Sequence, residues 1–365
     1  MTTYLVTPND TLFFRGGEPM EAGESHFQTS VFPPSPETLI GAVRTSVIAH
    51  ASDGDFEGYK NGKYAETDWF KEIGLKEPPP TFKFTGPFLK MGDDILLTPP
   101  SNLFVDKAGH FTLASPRRFD DVVHSPGIPS IMWLPESGGS KSKEWKPVEG
   151  YITMGGMKKY LKGAINALDQ TTDFVKTGVG DDSPAAKILV MTEARTGIAL
   201  KKNGLRTVET SRLYMTSHKR FGEGTGMIFL LEGVSTMPDA SIIRLGGENR
   251  TAYCEKVEDV ILPSFGENVE FLVTTMPIKV EKVTGGIPVT EFLDEDMNVI
   301  LSGGTSSRLI SYSVTRPLQF GGWDLAAQKS KEMIQYVPAG SVFYFEKCSI
   351  KGHNNKYLLG GKDVR

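Results

Sequence analysis

Cysteine is nearly absent from this chain of 365 residues: Cys254 and Cys348 are the only two, and they form no C-x-x-C pair. That excludes a disulfide framework and a thiolate zinc site, and the two thiols read as small buried apolar groups. The six histidines are scattered, so no metal and no cofactor is expected. Long hydrophobic runs are missing as well. The longest, Met227 to Leu231, has five residues, against roughly 20 for a bilayer-spanning helix. With no basic leader and no apolar core in MTTYLVTPND, the expectation is a cytoplasmic chain without membrane contact. No phosphate cradle of the form G-x-x-x-x-G-K-[ST] occurs. Excess positive charge is lacking too: Lys+Arg 40 against Asp+Glu 44 leaves −4. The surface as a whole is therefore no electrostatic glove for nucleic acid, and any polyanion site must be local.

What is abundant is glycine, 39 residues, and proline, 23, in short clusters without a period, which argues for many turns. The chain is long enough for two domains. Tyr4 to Phe14 reads as a strand or two short strands. Ser35 is a plausible N-cap and Pro36 suits the first helical position, so a helix is expected from Pro36 to His50 with Leu39, Ile40, Val43, Val47 and Ile48 on its apolar face. Extended runs at Thr81 to Lys90 and Ile95 to Val105 flank a Gly-Asp-Asp turn, and apolar positions from Met157 to Leu168 predict a second helix. From Lys187 to Met215 two extended runs surround Asn203-Gly204, a favoured hairpin pair. Strand, helix, hairpin, helix, strand, repeated, is the grammar of an α+β chain of two ferredoxin-like domains with Gly-rich loops. The expected division is 1–222, carrying a loop at about 106–150 and an inserted hairpin at 193–221, and 223–365, opening with the strand MIFLLEG.

Charge is segregated. Residues 141–220 hold 15 Lys+Arg and 8 Asp+Glu, a local balance of +7, which leaves −11 for the rest. In an ideal Asn-Gly hairpin Lys201 faces Arg206, a like-charge pair that an anion would relieve. Downstream, Arg212, Tyr214, His218, Lys219, Arg220 and Phe221 interleave cations with flat rings, which suits phosphate contacts and base stacking on single-stranded RNA. A plain solvated face has the same composition. Glycine pairs at Gly246-Gly247, Gly303-Gly304 and Gly321-Gly322 are attended by Arg250, Arg308 and Trp323. Such turns either approach phosphate closely or are merely tight. Arg44 lies at the edge of the first helix's apolar face, where it wants a partner or snorkels. Gly92-Asp93-Asp94 lacks a third acidic ligand for two-metal chemistry. His26 and His124 lie in loops and could act as a general base on a ribose hydroxyl, although lone histidines are more often structural.

The blocks LFFRGGEPMEAGE (Leu12 to Glu24), SVFPPSPETLIGAVRT (Ser30 to Thr45), EARTGIAL (Glu193 to Leu200) followed by SRLYM, LGGENR (Leu245 to Arg250), FGGWDLA and VPAGSVFYFE together resemble the third subunit of the Cmr-type (type III-B) CRISPR effector complex. The likeness runs in order from Leu12 to Glu346. It implies a RAMP-superfamily protein, not itself a nuclease, that binds the 5′ repeat-derived handle of the CRISPR RNA. Its implied partners are the large polymerase-like (cyclase) subunit, the backbone RAMP subunit and the small subunit. On this resemblance and on charge, Arg44 and Arg195, beside Gly41 and Gly197, are assigned to the handle pocket. VPAGSVFYFE is similar to the glycine-rich loop with which RAMP proteins approach RNA. Two alternatives stay open: a RAMP endoribonuclease that cuts precursor CRISPR RNA with His26 as acid or base, and a protein-only scaffold.

Overall fold

Pro36 does begin a helix. In the computed structural model Ser35 is extended, its Oγ accepts the Thr38 N–H at 3.3 Å, and α1 runs Pro36–Ala51. The model describes residues 1–16, 27–75, 80–119, 128–134, 144–176, 189–200, 208–260, 262, 269–284, 287–301, 305–324, 329–348 and 358–361. At 198–200, 208–213, 287, 301, 305, 323, 324, 329, 330, 347 and 348 only the backbone path is described. Strands outweigh helices, with 46% of residues in strands and 14% helical, so the α+β expectation holds in its β part more than in its α part.

The chain folds into two units, each assembled from three stretches. Unit 1 takes Met1–Gly92, Thr177–Val260 and Gln319–Met333, and unit 2 takes Asp93–Lys176, Ile261–Leu318 and Ile334–Arg365. The expected break at residue 222 falls inside unit 1. The reason is MIFLLEG. Its strand does not open a second domain but inserts between two strands from the start of the chain.

Unit 1 contains β1 (Thr2–Pro8), β2 (Lys83–Met91), β3 (Val190–Leu200), β4 (Val208–Phe221), β5 (Thr225–Glu232), β6 (Ala240–Arg244) and β7 (Thr251–Val257). Five of these stand side by side in the order β2-β5-β1-β7-β6, every neighbour antiparallel. β1 and β2 are parallel with β5 between them, so the chain must cross over to join them, and α1 makes the crossing. Its buried Leu39, Val43 and Val47 form the stripe that packs on β2 and β6. The central place of β5 explains its unbroken apolar run, because Met227 to Leu231 are buried on both faces. β3 and β4 form the expected hairpin. An ideal two-residue turn at Asn203-Gly204 would place Leu200 opposite Thr207, whereas a register shift after Ile198 sets Leu200 opposite Val208. The turn itself, with Lys201 and Arg206, lies outside the described residues.

In unit 2, α4 (Met154–Leu161) follows the short helices α2 (Phe56–Lys60) and α3 (Asp68–Ile73) of unit 1 in the chain. Thr153 Oγ1 caps it by accepting the Gly156 N–H at 3.1 Å. The expected helix extended to Leu168, whereas α4 stops at Lys162 because Gly163 takes φ 72°, and a single 3-10 turn, Ile165–Ala167, follows. The main sheet of unit 2 uses β8 (Val269–Thr274), β9 (Asn298–Leu301), β10 (Thr305–Ser313), β11 (Val342–Cys348) and β12 (Leu358–Gly361), in the order β9-β10-β11-β8-β12. Again all neighbours are antiparallel. Phe292 and Phe343 meet edge to face at 5.1 Å inside its core, with Leu272, Leu309 and Phe345 around them.

With the edge strands β6 and β9 set aside, numbering the four remaining strands of each group in chain order exposes a shared plan. In unit 1, β1, β2, β5 and β7 lie in the order 2-3-1-4. In unit 2, β8, β10, β11 and β12 lie in the same order. Among the described residues, only unit 1 crosses between its first and second strands with a long helix. The described part of the same connection in unit 2 is built of short strands.

Candidate functional site

The Pro8-Asn9-Asp10 turn ends β1 and presents Asp10 beside the hairpin. Three guanidinium groups from three strand or turn positions converge on this one carboxylate. Arg195 on β3 donates from Nη2 to Oδ2 at 3.2 Å, Arg220 on β4 reaches Oδ1 at 3.1 Å, and Arg250, at the entry to β7, donates from Nη1 to Oδ2 at 2.9 Å. Glu193 bridges two of them, accepting from Arg195 Nε at 2.8 Å and Arg220 Nε at 2.7 Å. Glu248 accepts from Arg250 Nη2 at 3.4 Å. The result is a fan of three arginines against three carboxylates, formally neutral. The arginine side chains keep 20–39% of their surface exposed.

Strand alternation builds this face. In the β3–β4 register Glu193 stands opposite His218, Arg195 opposite Thr216, and Gly197 opposite Tyr214, so Glu193, Arg195, Gly197, Tyr214, His218 and Arg220 share one side. Lys219 and Phe221 belong to the other. There Lys219 donates to Thr192 Oγ1 at 2.8 Å, and Phe221 meets Phe32 edge-on at 5.6 Å. The expected interleaving of cations and rings on one surface is thus divided between two. Tyr214 lies flat across Gly197, where a Cβ would strike its ring. The glycine is what admits the aromatic side chain.

Arg250 is aimed by a turn of unusual backbone. Gly246, Glu248 and Asn249 take φ of 82°, 56° and 57°, and the Gly247 N–H donates to the Phe13 carbonyl at 2.7 Å. A side chain at Gly246 would meet that same carbonyl, so this glycine pair serves backbone packing. The same holds for Gly340 in VPAGSVFYFE, which takes φ 80° against the Pro99 carbonyl and is buried.

Electrostatics follow from these contacts. Burial alone would raise the Asp10 pKa, but the Thr11 N–H and the arginines outweigh it and hold the carboxyl below its ordinary value. Hydrogen bonds from Arg220 and then Arg195 lower that of Glu193. His218 is fully buried, stacks on Phe13 at 5.3 Å, and bonds Thr11 Oγ1 through Nδ1 and Thr216 Oγ1 through Nε2, each at 3.1 Å. Desolvation lowers its pKa although Glu248 Oε2 lies 3.3 Å from Nε2. Burial removes His218 from the set of surface contacts expected of it. Burial also lowers the pKa of Lys219.

The other expected residues are placed as follows. Arg44 donates from Nη2 to Tyr59 Oη at 3.0 Å and to the Gly74 carbonyl at 2.6 Å, which ties α1 to the α2–α3 segment. The side chains of Arg212 and Trp323 and the whole of Lys201, Arg206, His26 and His124 lie outside the description. Arg308 is exposed on β10, opposite Asn298. Gly321 lies against Met333 Sδ, and Gly322 is exposed. The residues missed in sequence are Asp10, Glu193 and Glu248, which gather the arginines. Among the described residues no helix is long and apolar enough to cross a membrane, and no group of three or more His, Cys, Asp or Glu is arranged to hold a metal ion.

A family model described as CRISPR-associated protein (Cas_Cmr3) matches residues 4–358. The chain belongs to that family. As a Cas_Cmr3 member it is a type III-B CRISPR effector subunit. Comparison with the curated proteins finds no match. Among solved structures it is similar to a chain of a Type III-B Cmr-beta complex bound to cognate target RNA, at 18% identity and TM-score 0.49, over 94% of this chain and 86% of that one. It is also similar to a chain of the same kind of complex bound to cognate target RNA and AMPPnP, at 17% identity and TM-score 0.48, with the same coverage. A third likeness is to a chain of a Csm3–Csm4 subcomplex of the type III-A interference complex, at 12% identity and TM-score 0.39, over 100% of this chain and 98% of that one.

Proposed function

We propose that this Cas_Cmr3 chain is a non-catalytic RNA-binding subunit that holds the 5′ repeat-derived handle of the CRISPR RNA and docks on the large polymerase-like subunit. Its two units descend from ferredoxin-like domains, a reading supported by their common 2-3-1-4 strand order. The observation that carries the RNA reading is the convergence of Arg195, Arg220 and Arg250 on Asp10. The carboxylate occupies the position a phosphate would take among three guanidinium forks. Arginine has five N–H donors, so each fork keeps donors for an RNA phosphate beyond those spent on the carboxylates. Pairing holds the forks still before RNA arrives, and partial exposure leaves them reachable. Near-neutrality of the whole chain suits a subunit with several protein partners and one RNA.

Guide-RNA retention in the assembled complex, titrated with salt, tests this. The R195A/R220A/R250A chain should retain less guide and show a flatter salt dependence, by about 0.7 per lost phosphate contact on a log–log plot. The three-lysine variant, which keeps the charges, separates lost contact from lost folding. Retention and slope unchanged in the alanine chain would refute the hairpin site. The non-catalytic assignment is tested by incubating the full chain with repeat RNA without metal. No discrete product is expected, and a product lost in H26A would favour the endoribonuclease.

A further inference from the structure

The fan has a counterpart in unit 2 with a different charge state. Ser115–Arg117 and Ile131–Trp133 form a two-stranded ribbon in which Ser115 stands opposite Trp133 and Arg117 opposite Ile131. Directly opposed residues share a face, so Arg117 and Trp133 are diagonal neighbours on one side of the ribbon. The Arg117 guanidinium lies 5.0 Å from the centroid of the Phe119 ring, and that ring meets Trp133 at 5.0 Å and 63°. Two such steps keep guanidinium and indole within about 10 Å, the scale of a nucleotide's base and phosphate. The small Ser115 opposite Trp133 leaves the indole 39% exposed. Among the described residues no carboxylate pairs with Arg117, unlike the three arginines of the fan. The ribbon is held to its sheet: the Ser130 N–H donates to the Ile310 carbonyl at 3.3 Å, and Ile128 is buried in the core of unit 2.

We propose that Arg117, Phe119 and Trp133 form a stacking site for one unpaired nucleotide of RNA, the base on Trp133 and its phosphate on Arg117. A lone exposed tryptophan is ordinary. An exposed indole joined through a second ring to a guanidinium with no carboxylate partner among the described residues offers a stacking face and N–H donors together to a flat anionic ligand. A single nucleotide supplies both complements at once, whereas a protein partner would have to bring an aromatic and a carboxylate separately. That the ligand is RNA rests on the reading of the chain as an RNA-binding subunit, but the residues are different ones.

The chain contains four tryptophans, so its fluorescence reports on this site. The full chain is titrated at low salt with a single-stranded adenine-rich RNA of about 20 nucleotides, following quenching and affinity. Wild type should be quenched. W133F should lose most of the quenching and bind roughly tenfold more weakly, and R117A should flatten the salt dependence by about 0.7. Quenching and affinity alike in W133F and wild type, or no quenching in wild type, overturns the site. If R195A/R220A/R250A loses RNA while W133F does not, the ribbon site fails and the fan stands. The reverse pattern leaves the ribbon and removes the fan. A crosslink from the ribbon to a neighbouring protein subunit in the assembled complex, with no RNA adduct on it, replaces the nucleotide with a protein contact.

Discussion

Both units lay a ring across a glycine and both present arginine beside aromatic side chains, yet they treat the two pairings differently. In unit 2, Phe271 covers Gly361 inside the core, and Arg117 on the ribbon has no described carboxylate partner. In unit 1, Tyr214 covers Gly197 on a half-buried hairpin face, and each arginine beside it is bound by carboxylates. The difference separates two ways of meeting an anion. A paired fan is pre-ordered and nearly neutral, so its contact energy depends on geometry. A guanidinium over a ring with no carboxylate partner among the described residues is held by fewer hydrogen bonds, so its contact is weaker in direction.

The largest effect expected from breaking this comparison is in G361A. The ring of Phe271 is pinned in the core and cannot yield, so chemical denaturation should show a loss of about 2–3 kcal/mol. G197A should lose about 1 kcal/mol, because Tyr214 can swing toward solvent, and the loss should nearly vanish in a Y214A background. Equal losses at the two glycines would erase the distinction. Next is D10A, which leaves the fan without its hub. Partly exposed pairs are each worth a few tenths to 1 kcal/mol, so the three together should lower stability by about 1–2 kcal/mol, while R117A should change it by less than about 0.5 kcal/mol.

Acid sharpens the contrast further. Asp10 and Glu193 have folded pKa values below their ordinary 3.8 and 4.5. The unfolded chain therefore takes up protons first as pH falls. Their stabilisation is complete above the ordinary carboxylate range and is lost as pH drops through the lowered folded values. Amide protection measured by hydrogen exchange should decline in β3 and β4 below about pH 4, with the Ser115–Trp133 ribbon little affected. Parallel loss in both would mean that the fan does not stabilise its hairpin locally.

Much of unit 1 was legible because its signals are local. Ser35 and Pro36 start α1, the run Met227 to Leu231 marks a strand buried on both sides, and Asn203-Gly204 announces a hairpin. The helix at Met157 was overextended because apolar spacing continues past Gly163, and spacing does not register a positive φ. The boundary at residue 222 failed to anticipate that β5 pairs with β1 and β2, since strand neighbours are chosen by hydrogen bonding across long separations.

Composition and order of residues determined that this is a turn-rich, strand-rich Cas_Cmr3 chain with its basic charge concentrated in the middle. Which cations remain available was decided only in three dimensions. Asp10 lies 185 positions from Arg195 and 240 from Arg250, and alternation along β4 sends Arg220 and Lys219 to opposite faces. Coulomb attraction depends on separation in space, so a count of charges along the chain records how much charge there is but not what neutralises it.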